Sequence, residues 1–328
     1  MRGGGKSMHR ALILTLIWLG AACAQTDAPA AVSGGFALRG AAGTVNAPAV
    51  DQTPPAMVNG IAIDEAGHLW VAAGADSELL RLEAPGEKIV ERYPTEWLLD
   101  GPDDLVATPE AVYYTAMASG NVKKLDRSTG KNEVIGRVGL GVNPIVLTEQ
   151  GTLLVGLAPG PAPELAPLFT GLFEVDPAGA KRPQRVLRDS RSINAFCVAP
   201  DGRAYGPTQT SVLRFDLSTG DVETIHEGFG YAGAVRYNPH DEKLYVLDVY
   251  PRDNRREAHL YSMKLDGSDF GLFARLSEIE DDNFTADNFA IAEDGTFYVT
   301  RLYMIKITRV SPDGQRVEDF SIGAPSSQ

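Results

Sequence analysis

The sequence predicts an all-β protein, a six-bladed β-propeller built of four-stranded blades. From about residue 57 the 328-residue chain repeats a unit of four short strands, in which a Gly-containing turn separates the first two. Six such units fill residues 57–328 at about 45 residues each, which is the size of a propeller blade. The 34 Gly and 21 Pro recur with the units, as many turns between short strands require.

Turn and strand chemistry supports the individual units. Hairpin signals ending in Gly occur at residues 200–202, 218–220 and 293–295. Segments such as 244–246 and 297–299 carry the aromatic and β-branched residues that strands favour. Sustained helical periodicity is missing downstream of the N-terminal segments, so we expect a single propeller domain.

Two segments precede this domain. In residues 1–24, three basic residues come before an apolar run at residues 11–19, and small residues follow it. This pattern is typical of a secretory signal, and the run is too short to span a membrane. We therefore expect an exported protein, either periplasmic or secreted after simple cleavage, or a lipoprotein anchored through Cys23. Residues 25–56, rich in Ala, Gly, Pro and Thr, predict a linker or arm.

The charge balance restricts the partners. The chain has 43 Asp and Glu against 30 Lys and Arg, a net charge of −13, and no basic tract. Nucleic-acid binding needs clustered basic side chains, so we expect no nucleic acid as partner. We also expect no transmembrane segment in the mature chain. An acidic exported protein is compatible with a small-molecule ligand or a cation.

The most informative pattern is a ring of oxygen-bearing side chains. When the units are aligned on their first turn, five of the six carry Asn or Asp eight places earlier. These five are Asn59, Asp103, Asn143, Asn194 and Asp287, with Gly233 in the fifth unit. First strands line the channel of a propeller, so we expect these side chains to meet at one channel mouth.

Such a ring predicts a metal site. Carboxylate and amide oxygens suit Ca²⁺, with Mg²⁺ and Mn²⁺ as alternatives, and a ring without His or Cys argues against zinc. Asp104 and Asn288 directly follow two ring residues and are expected to act as further ligands or as partners that support the ligands. The simpler alternative is that each Asn or Asp only caps the start of a strand.

Two long connections are expected on the same face as the ring. The first, residues 157–169, is apolar and predicts a lid, and the second, residues 248–259, is polar and predicts a wall. Surface decoration is the alternative for both. His259 is the one histidine of five that falls on this face, which makes it a candidate general base.

Residues 287–299 and 193–202 resemble the strand-entry motifs of the senescence marker protein/gluconolactonase family. Relatives of that family include paraoxonases, diisopropylfluorophosphatase and strictosidine synthase-like proteins, and residues 101–105 are similar to a strictosidine synthase-like blade opening. The resemblance covers most of residues 57–323. It implies a propeller whose catalytic divalent cation, usually calcium, lies at the channel mouth and serves the hydrolysis of lactones or related esters.

By position, Asn143, Asn194 and Asp287 match the Asn and Asp ligands of the family, and Asp287 with Asn288 resembles the paired Asp-Asn of paraoxonases. The chain also departs from the pattern. The usual early Glu ligand has no counterpart, because Asn59 stands in the first unit and Asp103 in the second. The strictosidine synthase-like branch, moreover, lacks the metal.

Together these patterns predict a metal-dependent lactonase or esterase-like hydrolase acting on a small-molecule lactone or ester. Asp287 or Asp103 would bind the cation and also serve as base, with His259 as the other candidate base. Two alternatives stay open. One is a non-enzymatic propeller that binds a partner, and the other is a metal-dependent lyase on the same fold.

Overall fold

The computed structural model describes residues 49–96, 100–157, 170–188, 193–252, 255–279 and 286–323. The predicted signal segment, most of the predicted linker and nearly all of the predicted apolar lid lie outside these residues. Residues 50–328 form one compact unit.

The described residues form six antiparallel sheets of four strands each, and in each sheet the strands follow one another in chain order. Blade one contains β1 (Ile61–Ile63), β2 (Leu69–Ala73), β3 (Glu78–Glu83) and β4 (Lys88–Pro94). Blade two contains β5 (Pro102–Ala107), β6 (Ala111–Ala116), β7 (Asn121–Asp126) and β8 (Asn132–Arg137). Blade three contains β9 (Val142–Leu147), β10 (Leu153–Leu157), β11 (Gly171–Val175) and β12 (Gln184–Leu187). Blade four contains β13 (Cys197–Val198), β14 (Ala204–Pro207), β15 (Ser211–Phe215) and β16 (Val222–Glu227). Blade five contains β17 (Ala232–Asn238), β18 (Lys243–Arg252), β19 (Arg255–Met263) and β20 (Gly271–Ile279). Blade six contains β21 (Ala286–Ile291), β22 (Phe297–Arg301), β23 (Lys306–Val310) and β24 (Val317–Ser321).

This architecture confirms the predicted all-β, six-bladed propeller. The described ranges contain no helix long and apolar enough to cross a membrane.

The core lies between neighbouring blades. The second strand of blade one, Leu69–Ala73, is buried along its whole length, because another blade covers each face of the sheet. Between blades five and six, Leu247 and Val249 pack in one cluster with Phe289 and Phe297. The cores are therefore radial layers, and they leave the innermost strands facing a central channel.

The ring closes where blade six meets blade one. Val58 N donates to Leu302 O at 3.2 Å. Ile307 and Ile322 share a core cluster with side chains of blade one. Upstream of blade one, the side chain of Gln52 accepts from Ile89 N at 3.0 Å and donates to Ile89 O at 2.8 Å. The last residues of the predicted linker are thus bound to the outer edge of blade one.

Blade five departs from the prediction of a polar loop at residues 248–259. The structure has two long antiparallel strands there, β18 and β19, paired from Leu244 with Met263 to Arg252 with Arg255. The strands extend because Val249 and Ala258 on the facing pair are both buried in the core shared with blade six. The expected wall therefore consists of extended sheet, not loop.

Candidate functional site at the channel mouth

Backbone irregularities aim the ring residues into the channel. The register between β5 and β6 shifts between Pro102 and Leu105, and that between β21 and β22 shifts between Ala286 and Phe289. These two shifts enclose Asp103 and Asp287 together with the residues that follow them. A bulge of this kind redirects side chains out of the regular alternation of a strand. The register of β9 with β10 and that of β17 with β18 shift at the equivalent places, around Asn143 and Gly233.

Two buried threonines fix the bulges of the carboxylate-bearing blades. Thr115 Oγ1 accepts a hydrogen bond from Asp104 N at 3.1 Å and donates one to Asp104 O at 3.3 Å. Thr300 Oγ1 does the same with Asn288 N at 3.2 Å and Asn288 O at 3.1 Å. Each bulge therefore keeps its polar backbone groups satisfied at the mouth, as buried backbone requires.

The structure brings the predicted ring residues together in pairs. Asn59 Nδ2 donates to Asp103 Oδ1 at 2.6 Å, and Asn143 Nδ2 donates to Asn194 Oδ1 at 3.4 Å. Asp287 lies close enough to Asp103 for its negative charge to raise the pKa of Asp103. Asn59, Asp103 and Asp287 thus lie together, Asn143 lies beside Asn194, and the role of all five as metal ligands stays a prediction.

The two ring carboxyls resist ionisation. Burial raises the pKa of Asp103 to about 8, the negative charges of Asp287 and Asp104 add to the effect, and the hydrogen bond from Asn59 opposes it. Burial also raises the pKa of Asp287 to about 7, again with help from the charge of Asp104 and against the positive charge of Arg236. A positive charge placed between these carboxyls would remove most of this penalty.

Two of the ring amides have an oxygen without a hydrogen-bond donor. The Oδ1 atoms of Asn59 and Asn143 are buried and have no hydrogen-bond partner among the described residues. Buried oxygens without donors are costly, and a cation satisfies them. The described ranges hold no group of three or more His, Cys, Asp or Glu side chains arranged for a metal. A cation here would therefore need the amide oxygens as well as the two carboxylates, and this donor set fits a hard cation.

A second layer lies directly beneath the ring. The carboxylate of Asp104 accepts from Leu105 N at 3.0 Å, Ile145 N at 3.1 Å and Asn288 Nδ2 at 2.9 Å. Asn288 Oδ1 accepts from Arg236 Nη2 and from Phe289 N, both at 2.8 Å. Of the two roles expected for Asn288, ligand or supporting partner, these contacts favour the supporting one.

His259 is not brought into the ring, because β19 is the third strand of its blade. It is 6% exposed, its Nε2 lies 3.2 Å from Glu257 Oε2, and burial lowers its pKa. It pairs across the strands with Asp248, whose carboxylate accepts from Tyr231 N at 2.8 Å. Among the contacts of the described residues, His259 is linked toward the mouth through that acid and the backbone of Tyr231.

Tyr231 lies near the candidate site, and the repeat did not predict it. It precedes Gly233, and the charges of Asp287 and Asp103 raise the pKa of its phenol in addition to burial. An aromatic hydroxyl thus lies near both carboxyls in the one blade that lacks a ring oxygen. The signal available in the sequence was a tyrosine just ahead of a first strand.

Comparison with known proteins supports the fold. No family model matches the chain, and no curated protein matches it. Among solved structures, a gluconolactonase from Xanthomonas campestris is similar, with a TM-score of 0.58 and 14% identity over 76% of this chain and 84% of the other. This agrees with the resemblance seen in the sequence.

Two other solved structures show how widely the fold is used. A catalytically inactive virginiamycin B lyase from Staphylococcus aureus with quinupristin has a TM-score of 0.57 and 12% identity over 85% of this chain and 89% of the other. A nidogen/laminin complex has a TM-score of 0.59 and 11% identity over 77% of this chain and 93% of the other. At these identities the likeness establishes the propeller fold alone.

Proposed function

We propose that this protein is a divalent-cation-dependent hydrolase that opens a lactone or a related ester at the channel mouth, with Ca²⁺ as the cation and Mg²⁺ or Mn²⁺ as alternatives. The observation that carries the proposal is the pair Asp103 and Asp287, whose pKa values are raised to about 8 and about 7, beside buried amide oxygens that lack donors. Strand capping alone gives no reason for a buried carboxyl and a half-buried one to lie close to each other.

The residues that would hold the cation are Asn59, Asp103, Asn143, Asn194 and Asp287. A cation bound there supplies polarisation of the substrate carbonyl and stabilisation of the negative charge that develops on its oxygen. Because Asn59 donates to Asp103 Oδ1, the Oδ2 atom of Asp103 is the oxygen left for cation or water.

The same carboxyls provide a base. A carboxylate beside the attacking water accepts its proton, and Asp103 and Asp287 are the carboxylates of the ring. Water would attack the carbonyl carbon and give its proton to one of them, and the ring C–O bond would then break as that carboxyl returns the proton to the departing oxygen, which leaves a hydroxy acid. His259, two strands from the channel in its sheet, is not required for this step.

The test is the variant Asp287→Ala with Asp221→Ala as the matched control, an exposed acid in the turn between β15 and β16. We expect Asp287→Ala to lose both Ca²⁺ binding in calorimetry and hydrolysis of a lactone panel, and the control to keep both. Full hydrolysis by Asp287→Ala in the presence of EDTA would contradict the proposal.

The same panel separates the two alternatives. A lyase, the class named for the structurally similar streptogramin B and virginiamycin B enzymes, is one alternative. If this chain were a lyase, it would open the ring without incorporating oxygen from labelled water. A binding platform would take up Ca²⁺ without turnover of any lactone. Incorporation of labelled oxygen that disappears with EDTA is the result expected for the hydrolase.

A further inference from the structure

The guanidinium of Arg236 is surrounded by oxygen atoms inside the channel. Nη1 donates to Phe196 O at 2.8 Å and to Val235 O at 3.3 Å, and Nε donates to Phe289 O at 3.2 Å. Nη2 donates to Asn288 Oδ1 at 2.8 Å. These oxygens come from blades four, five and six, so one side chain connects three blades beneath the ring.

A buried carboxylate also lies near the guanidinium of Arg236. Asp104 Oδ1, in blade two, lies 4.0 Å from Arg236 Nη2, and the Asp104 side chain is 2% exposed. A carboxylate removed from water needs a positive partner nearby, and Arg236 is the cation within ion-pair distance of Asp104 among the described residues. The Arg236 side chain itself is 18% exposed, so solvent reaches it.

Three backbone carbonyls, one amide oxygen and one carboxylate are the ligand types that hard cations take. We propose that Arg236 is the built-in cation of the channel: its guanidinium holds the place that a second metal ion would occupy beneath the ring. The chain therefore binds one divalent cation at the mouth and supplies the second positive charge itself. This inference rests on the proposed cation site above.

Arg236 is also a positioning residue for that site. It bonds Asn288, which directly follows Asp287, and Asn288 in turn bonds Asp104, which directly follows Asp103. The two ring carboxyls are thus joined through the layer below them.

The experiment counts Ca²⁺ ions per chain by calorimetry in wild type and in Arg236→Met. We expect one ion in wild type and two in Arg236→Met, because the vacated oxygens and the unpaired Asp104 form a new site. Arg236→Lys keeps the charge and should bind one. A second variant pair, Arg236→Met with and without Asp104→Asn, should lose the extra ion when the carboxylate is removed.

Arg127→Met is the matched control, since Arg127 is also a largely buried guanidinium that binds a buried acid, Asp64, at 3.1 Å. Asp64 keeps a second arginine, Arg81, at 2.8 Å, so this control should stay at one ion. Melting temperatures with EDTA and with Ca²⁺ give the second readout. Ca²⁺ should raise the melting temperature of Arg236→Met more than that of Arg127→Met.

An unchanged count of one ion in Arg236→Met overturns the inference and leaves the proposed function intact. No ion in wild type and one in Arg236→Met overturns the proposed mouth site and the expected count of one ion in wild type, and supports only the exchange of the Arg236 guanidinium for an ion. No ion in either protein overturns both. If Arg236→Met and Arg236→Gln both fail to fold with Ca²⁺ present, the inference is also wrong, because the cation should replace the missing charge.

Discussion

Replacing Asp103 by Asn should stabilise the metal-free protein at neutral and alkaline pH. The folded protein binds a proton on Asp103 more tightly than an unfolded chain does, since its pKa is raised to about 8 from 3.8. At pH 7 the folded protein keeps a proton that the unfolded chain releases, which lowers stability by on the order of 4 kcal/mol, at about 1.36 kcal/mol for each pKa unit. Asp103 and Asp287 titrate as a coupled pair, so this free energy belongs to both groups together and the same amount is not added again for Asp287.

The net gain is smaller because the amide introduced by Asp103→Asn replaces the carboxyl oxygen that accepts the hydrogen bond from Asn59 Nδ2 and weakens that bond. That loss is about 1 kcal/mol, so we expect Asp103→Asn to gain about 2 to 4 kcal/mol of unfolding free energy in EDTA. For an acid with a raised folded pKa, stability falls as pH rises from about 4 to about 8. The gain should therefore be large at pH 8 and close to zero at pH 4.

The assay is urea denaturation in EDTA at both pH values, with Asp221→Asn as the exposed control. Ca²⁺ at 100 times its dissociation constant should then add about 2.7 kcal/mol to wild type and little to Asp103→Asn. A variant less stable than wild type at pH 8 in EDTA, or a difference that does not change with pH, would refute the argument.

Two further substitutions test the packing around the mouth. In Gly60→Ala, the new Cβ would lie 2.5 Å from Asp103 O, a backbone atom that cannot move aside, so we expect a loss of about 1 to 3 kcal/mol in thermal unfolding. Gly271→Ala has nothing within 4 Å of the new Cβ and should change stability by less than about 0.5 kcal/mol; an equal loss in both would count against the close approach. In Lys123→Met, the buried Asp100 loses an ammonium 2.7 Å from its Oδ1, and urea denaturation should show a loss of about 3 to 5 kcal/mol. An unchanged midpoint would mean that Asp100 does not depend on this pair.

The fold could be predicted because the repeat is local. Each unit carries its own turns and strand residues, so six units are visible without knowing any contact. The long hairpin of blade five was missed, since the polar residues of 248–259 have the composition of a loop. These residues form strands because Val249 and Ala258 pack against blade six, and the local sequence does not show that contact.

The ring positions could be predicted for the same reason, as they recur at one place in each repeat. Arg236 and Tyr231 occur in one blade only, so an alignment of repeats cannot find them. The identity of Asn288 does not tell which way its amide points, and that direction follows from Arg236 and Asp104 in other blades. The bulges escaped prediction because strand register is a property of the paired strands and not of either one alone.

The junction between blades six and one has a mechanical consequence. All four strands of each blade are consecutive, so five of the six junctions between blades are crossed by a covalent connection and the sixth is not. That seam depends on non-covalent contacts such as the Val58–Leu302 bond and the packing of Ile322. A pulling force applied to the two chain ends would part the molecule there first, and blades would then peel away singly from each side.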